Sequence, residues 1–394
     1  MNRSHVMLLA MAIGTGLAGV VHSQTTRPAA SQPMNAFENK ETWLDTDGVH
    51  INAHGGGVLW HEGMYYWFGE ARNARRQGTP SSRGVVCYSS KDLYNWKNEG
   101  TILPVVDDPD SDITRGCIIE RPKVVYNART KQFVMWFHLE LKGRGYGAAR
   151  TALAIGDSPT GPFKFIKSLR PNAGKWSIDF AEKNRSPLGG DEAKQITQDR
   201  SHFRQALVDG VYTRRDYEGG QMARDMTLFV DDDSKAYLIA SAEENYTLNI
   251  HELNDDYTDF TGKWLRVVPA GHNEAPALIK QNGRYYMLAS GCTGWDPNPA
   301  RVLAADNIWG PWKDVGNPCS GVNPANQLGP DKTFGGQSTF ILPLPGKPGS
   351  YIAMFDIWRP RNLIDSGYIW LPASFDGNRM RIEWRDKWDL SVFK

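Results

Sequence analysis

Five polar residues hold the same place in five repeated segments. They are His54, Glu120, Asp225, Glu274 and Gln337, and each lies 11 to 14 residues ahead of an aromatic residue (Tyr65, Phe133, Tyr237, Tyr285 or Tyr351). Three carboxylates, an imidazole and a carboxamide at matching positions are a set that can move protons. Brought to one point, they would suit cleavage of a glycosidic bond. That chemistry needs an acid to protonate the leaving oxygen and a second group to direct water or stabilise charge. Like charges and apolar walls raise one carboxyl's pKa and keep it protonated near neutrality. Glu274 is the acid candidate, because Ala275-Pro276-Ala277 gives it an apolar flank. The plainer alternative is that these residues only cap strand starts, where polar side chains are common.

The elements that would bring the five together are short strands. Each segment reads as an apolar run, a polar turn, then a second run opening on its aromatic residue. Examples are Gly56-Gly57-Val58-Leu59-Trp60 with Met64-Tyr65-Tyr66-Trp67-Phe68, and Ala277-Leu278-Ile279-Lys280 with Arg284-Tyr285-Tyr286-Met287-Leu288. The pattern returns at intervals of about 50 residues or more, the spacing of propeller blades with insertions. Asp92 to Trp96, Ser158 to Phe163 and Asn307 to Trp312 echo one another after a third strand. The expected fold is therefore all-β, a five-bladed β-propeller, with a two-sheet sandwich as the competing arrangement. Innermost strands of a propeller start near one end of a central channel, so the five polar residues should converge there. A polar stretch from Pro171 to Gln221 interrupts the third interval and is expected as a loop over one face.

Length and composition set the outer bounds. The chain has 394 residues, with 45 Lys and Arg against 44 Asp and Glu, for a net charge of +1. That balance excludes a basic nucleic-acid footprint across the whole surface. Trp, Tyr and Phe number 14, 15 and 15, and flat aromatic faces suit sugar rings as well as cores. Asn2-Arg3 followed by the apolar run Val6 to Val21 reads as a secretory signal peptide over residues 1–23. The run is short for a membrane span. Residues 24–39 read as a disordered linker and 40–394 as the propeller domain, which implies an exported protein, periplasmic or secreted. Gly14 to Gly19 spells GxGxxG, but within the leader and without a βαβ unit it has no nucleotide-binding meaning. Cys87, Cys117, Cys292 and Cys319 could pair after export or stay free thiols. No metal-ligand spacing and no cofactor motif stands out. Asp231-Asp232-Asp233 reads as a β-turn rather than a calcium run.

Several stretches, taken together, resemble glycoside hydrolase family 43, and more narrowly its exo-β-1,3-galactanase branch. They are Ala53-His54-Gly55-Gly56-Gly57, Tyr66-Trp67-Phe68-Gly69-Glu70, Glu120-Arg121-Pro122-Lys123-Val124, Glu274-Ala275-Pro276 and Gly294-Trp295-Asp296-Pro297-Asn298-Pro299. The resemblance implies a five-bladed propeller, inversion of configuration, Glu274 as general acid and Asp225 as the carboxylate that tunes and orients it. The family's usual base, an Asp opening the first blade, has no counterpart in Asn52-Ala53-His54-Gly55. In the galactanase branch a fifth-blade Gln holds the attacking water, which implies Gln337 here, with a proton relay or an imidic-acid tautomer. Glu120 would bind sugar hydroxyls or assist the water. His54 is either a base or a core histidine, and Glu70 either a hydroxyl ligand or a turn-facing charge. Tyr146 and Trp295 would line the sugar pocket, and Arg359 would contact substrate or the Gln. The implied partner is an oligo- or polysaccharide acted on by a monomer. An α-L-arabinofuranosidase, a β-D-galactofuranosidase and a non-catalytic sugar-binding propeller are the alternatives.

Overall fold

A computed structural model describes residues 32–39, 42–72 and 82–393. The leader expected over residues 1–23 lies outside them. Strand β1 (Phe37–Glu38) precedes five sheets, each built from four antiparallel strands in chain order, the fifth with one added parallel edge strand. Blade 1 comprises β2 (His54–His61), β3 (Met64–Arg72), β4 (Ser82–Ser90) and β5 (Lys97–Pro104). Blade 2 comprises β6 (Ile118–Asn127), β7 (Gln132–Glu140), β8 (Arg150–Gly156) and β9 (Lys164–Leu169). Helices α1 (Gly190–Gln198), α2 (Phe203–Val208) and α3 (Val211–Arg215) precede blade 3, which is β10 (Met226–Val230), β11 (Ala236–Ala242), β12 (Thr247–Leu253) and β13 (Phe260–Val267). Blade 4 comprises β14 (Asn273–Gln281), β15 (Arg284–Gly291), β16 (Arg301–Ala305) and β17 (Lys313–Gly316). After β18 (Cys319–Ser320), blade 5 is β19 (Gln337–Pro343), β20 (Tyr351–Ile357), β21 (Gly367–Asp376) and β22 (Arg379–Glu383), and β23 (Lys387–Trp388) ends the sheet structure.

The first strand of each blade packs on the first strand of the next, and β19 returns to β2. This closes a ring and confirms the five-bladed reading over the sandwich. Second strands are buried on both faces: all seven residues of β11 are buried. Such strands read as continuous apolar runs rather than alternations. The expected aromatic residues sit at or next to the start of the second strands, from Tyr65 in β3 to Tyr351 in β20.

A repeated irregularity aims the polar residues at the axis. Register shifts interrupt the pairing between His54 and Gly57, Glu120 and Lys123, Glu274 and Ala277, and Ser338 and Phe340. Such bulges bend a strand and redirect its side chains, and they collect beside active sites. The residues just past three of the polar positions, Gly55, Arg121 and Ala275, have φ of +61°, +55° and +54°. Gly56 is needed for a different reason: a Cβ there would lie 1.6 Å from the Phe68 carbonyl oxygen.

Several expectations change. Residues 34–39 are not the end of a disordered linker. Phe37 is buried against Trp388, with ring centroids 4.2 Å apart, and β1 pairs with β23. Asn39 Nδ2 donates to the Trp370 carbonyl, and its Oδ1 accepts from the Trp370 N–H. Apolar side chains at this point gain more by joining the seam than an unstructured linker would keep in entropy. The 171–221 insertion is not a bare loop, because it holds α1 to α3 around Leu188, Ala193, Leu207 and Val211. Arg266 pins it to blade 3, donating to Glu243 and to the Leu207 and Val208 carbonyls. All four cysteines are free thiols. Asp231 closes a hairpin turn, with its N–H on the Lys235 carbonyl and its carboxylate on Lys280 and the Tyr285 hydroxyl. Among the described residues, no helix is long and apolar enough to cross a membrane.

Blades 1 and 5 meet in an aromatic cluster that the first and last strands of the described residues join: Phe37, Trp67, Trp96, Tyr368, Trp370 and Trp388. Trp388 also donates from Nε1 to the Trp370 carbonyl at 2.8 Å. Removing a buried Trp side chain costs about 3–5 kcal/mol. Trp388→Ala should therefore lower the urea unfolding free energy by about that much, and a loss under 1 kcal/mol would show that the clasp does not close the ring.

Candidate active site

The five polar positions were expected to meet, and four of them do. Glu120, Asp225, Glu274 and Gln337 line one cavity of about 250 Å³ at the mouth of the channel. Glu70, Arg121, His138, Tyr146, Arg224, Asn245, Gly294, Trp295 and Trp358 complete its wall. The fifth residue, His54, is fully buried and lies outside that wall. Its ring stacks on Tyr368 at 5.2 Å, and neither ring nitrogen has a hydrogen-bond partner among the described residues. Burial and then the Arg72 charge push its pKa well below the usual value, so it is a neutral core histidine. It is neither base nor sugar ligand.

Arg121 organises the centre. Its Nη1 donates to the Ser338 carbonyl at 3.0 Å, and its Nη2 lies 2.5 Å from Gln337 Oε1 and 2.9 Å from Asp225 Oδ2. Trp358 Nε1 donates to the same Gln337 oxygen at 2.9 Å. Arginine and indole N–H groups can only donate, so they fix which end of the Gln337 amide is oxygen. Its Nε2 then donates to Glu274 Oε1 at 2.9 Å and to Ser290 Oγ at 3.1 Å. Asn245 Nδ2 reaches Glu274 Oε2 at 3.3 Å. Burial first, and the neighbouring Asp225 charge second, push the Glu274 carboxyl up to about 8. A carboxyl in that state can give a proton at neutral pH.

A second group of charges lies beside the first. Arg72, buried, bridges Glu70 at 2.8 Å and Glu120 at 2.9 Å. The Tyr146 hydroxyl donates to Glu120 at 2.8 Å, and His138 Nδ1 lies 3.2 Å from its other oxygen. Burial would raise Glu120, but His138 and Arg72 outweigh it and hold the carboxyl well below the usual range. Glu70 goes the other way: burial raises it, and the Glu120 charge adds to that against Arg72. Glu70 is thus a buried wall residue, not a turn-facing charge. Oxygen and nitrogen atoms of Glu120, His138 and Asp225 lie within 4.8 Å of one another, close enough to hold a metal ion. Arg72 and Arg121 already pair with the two carboxylates, so a cation would have to compete with both guanidinium groups.

Tyr146 and Trp295 line the cavity as expected, and both are about two-fifths exposed. Trp295 packs edge-on against Trp358, with centroids 5.6 Å apart. Arg359 is not part of the wall. Its neighbour Trp358 contacts Gln337, donating from Nε1. Arg72, Arg121, His138, Arg224, Asn245 and Trp358 escaped the sequence reading. Arg121 stands within a motif already singled out, and Trp358 immediately precedes Arg359. His138 and Glu140 had a usable signal, two polar residues spaced by two at the end of an apolar strand.

The sequence profile described as "Glycosyl hydrolases family 43" matches residues 207–330. A β-D-galactofuranosidase, xynD, from Aspergillus niger is 33% identical over 234 residues, 58% of this chain and 54% of its own length. The chain thus spans about half the length of that curated relative. Among solved structures, a family 43 β-1,3-galactosidase with galactodeoxynojirimycin is 53% identical and superposes with a TM-score of 0.84, covering 90% of this chain and 100% of its own. An exo-β-1,3-galactanase from Clostridium thermocellum is 34% identical with a TM-score of 0.70, over 89% of this chain and 66% of its own. With one relative matched along its whole length at more than half identity, this chain belongs to glycosyl hydrolase family 43.

Proposed function

We propose that this protein is an exo-acting β-1,3-galactanase that releases terminal galactose with inversion, acting as an exported monomer. The observation that carries the proposal is Glu274, whose carboxyl burial and the neighbouring Asp225 push up to about 8, in the wall of a small cavity. A cavity of about 250 Å³ suits one terminal ring rather than an internal stretch of polymer. The 53% identical β-1,3-galactosidase, with its galactose-like iminosugar, supports galactose as that ring. The leader-like start of the chain supports export towards a polymeric substrate. The Aspergillus galactofuranosidase matches less of both chains and favours its own specificity less.

In this reading Glu274 gives its proton to the glycosidic oxygen as the bond breaks. Arg121 and Asp225 set its charge state, and Asn245 and Gln337 set its direction. Gln337 orients the attacking water. Its Oε1 already accepts from Arg121 and Trp358, and a neutral amide is a weak base. An imidic-acid form would place a hydroxyl proton on an oxygen that faces two obligate donors. The geometry therefore favours a relay for the water's proton, and ionised Glu120 with the Tyr146 hydroxyl lines the same cavity. Trp295 and Trp358 offer the apolar faces of the pocket.

Incubated with β-1,3-galactooligosaccharides, the protein should release galactose that is first α by time-resolved NMR; first β would rule out inversion, and no galactose would remove the galactanase reading. Positioned proton transfer contributes typically 10²–10⁴-fold, so Glu274→Gln should lose about that factor in kcat, and full activity would refute the acid assignment. The acid must be protonated to act, so kcat/KM should hold below about pH 8 and fall above it. Asp225→Asn removes a like charge and frees Arg121. The Glu274 pKa, and with it the alkaline limb, should move down by about one unit. An unmoved limb would show that Asp225 does not tune the acid.

A further inference from the structure

His138 and Glu140 have no part in the mechanism above, yet they form a fully buried chain behind Glu120. Both lie near the end of β7, spaced so that their side chains share one face. His138 Nε2 is 2.9 Å from Glu140 Oε1, and His138 Nδ1 is 3.2 Å from Glu120 Oε2. Glu140 Oε2 accepts the N–H groups of Ala148 and Ala149, at 2.8 and 2.9 Å. Those two residues end the 141–149 loop that carries Tyr146, whose hydroxyl returns to Glu120 at 2.8 Å. The circuit runs from catalytic carboxylate to histidine, to second carboxylate, to loop backbone, and back through a tyrosine.

We propose that His138 and Glu140 are positioning residues, which lock the Tyr146 loop to the Glu120 carboxylate so that Glu120 meets the sugar ionised and in a fixed place. An imidazole with a carboxylate at each nitrogen must carry a proton on both, and it then serves as a buried cation. A buried polar chain is costly unless its members are satisfied; here Glu140 takes the imidazole and the loop backbone, while His138 Nδ1 faces Glu120 as an ion pair without a hydrogen bond. The charged and titratable groups that face His138 are Glu140 on its own strand, Glu120 on β6, Tyr146 on the loop and Asp225 ahead of β10. Arg72 on β3 acts through Glu120. Burial opposes the imidazolium, but the two carboxylates prevail and raise His138 to about 9. The kinetic consequence rests on the glycosidase reading, whereas the structural one does not.

Two measurements test the inference. Nitrogen-15 NMR of histidine-labelled protein should show one imidazole with both nitrogens protonated at pH 7, titrating near pH 9. The same signal should be absent in His138→Gln and move to a lower midpoint in Glu140→Gln. A neutral His138 at pH 7 would overturn the proposal. In kcat/KM profiles on β-1,3-galactobiose, removing the cation raises Glu120's pKa. The acidic limb of the His138→Gln profile should therefore move to higher pH, so that the loss grows as pH falls, with the alkaline limb unmoved. Glu140→Gln should tilt the profile the same way if His138→Gln does not fold. Losses equal at every pH would mark a merely structural pair and refute the positioning role. Failure of the wild type to cleave the disaccharide would refute the functional reading alone, since the NMR result stands apart from it.

Discussion

The buried Arg121 guanidinium is the contact on which the site depends. Four blades deliver Glu120, Asp225, Glu274 and Asp356 to the neighbourhood of one axis, and carboxylates that close repel one another. Arg121 sits among them and touches three blades: its own, blade 3 through Asp225 and blade 5 through Gln337 and Ser338. Asp225, Asp356, Glu70 and Glu274 hold its charge against the cost of burial. One guanidinium cannot pair with every carboxyl around it, and the imbalance is useful. Glu274 and Asp356 are left with raised pKa values, to about 8 and about 6, burial being the larger cause for each. Glu274, proposed above as the acid, is thus the carboxyl of this group that the available positive charge serves least.

Backbone geometry is what lets Arg121 reach that place. It follows Glu120 in a bulge and has a positive φ, as Ala275 does after Glu274. A non-glycine residue in that region costs of order 1–3 kcal/mol and persists only where its surroundings impose it. Here they do, through ladder pairing on one side and the channel contacts on the other. The glycine triplet in blade 1 solves the same bend without side chains, because Gly56 lies against the Phe68 carbonyl. Beneath it Lys123 donates to the Gly55 carbonyl and Asp356 accepts from the Gly55 N–H, which plugs the channel under the cavity.

The insertion between blades 2 and 3 supports the cavity from outside. Arg170, at its threshold, donates to the Gly147 and Ala148 carbonyls of the Tyr146 loop. Arg215 of α3 holds Glu244, and Glu244 holds Arg224 in the cavity wall. Three consecutive residues, Glu243 to Asn245, take positive φ there, a strained turn that hands Asn245 to Glu274. Strain of this kind collects at functional sites when packing over-determines it.

Much of this was legible in the residues alone. Repeated apolar runs and turns define the five blades, because strand pairing within a blade is local along the chain. The convergence of Glu120, Asp225, Glu274 and Gln337 follows from that repeat, and the apolar flank of Glu274 foretold its raised pKa. What remained hidden depends on distances between segments far apart in sequence. His54 holds the repeat position, yet its ring turns under the cavity onto Tyr368, since stacking of blade 1 on blade 5 decides its surroundings. The ordering of residues 34–39 needed Trp388, some 350 positions away along the chain. The orientation of the Gln337 amide and the ionisation of His138 were set by neighbours from other blades or from a returning loop. The repeat alone carries the propeller and four of the five polar residues at its axis, because periodicity is a property of the chain; protonation states and hydrogen-bond directions come from the fold, because charge and burial act through space.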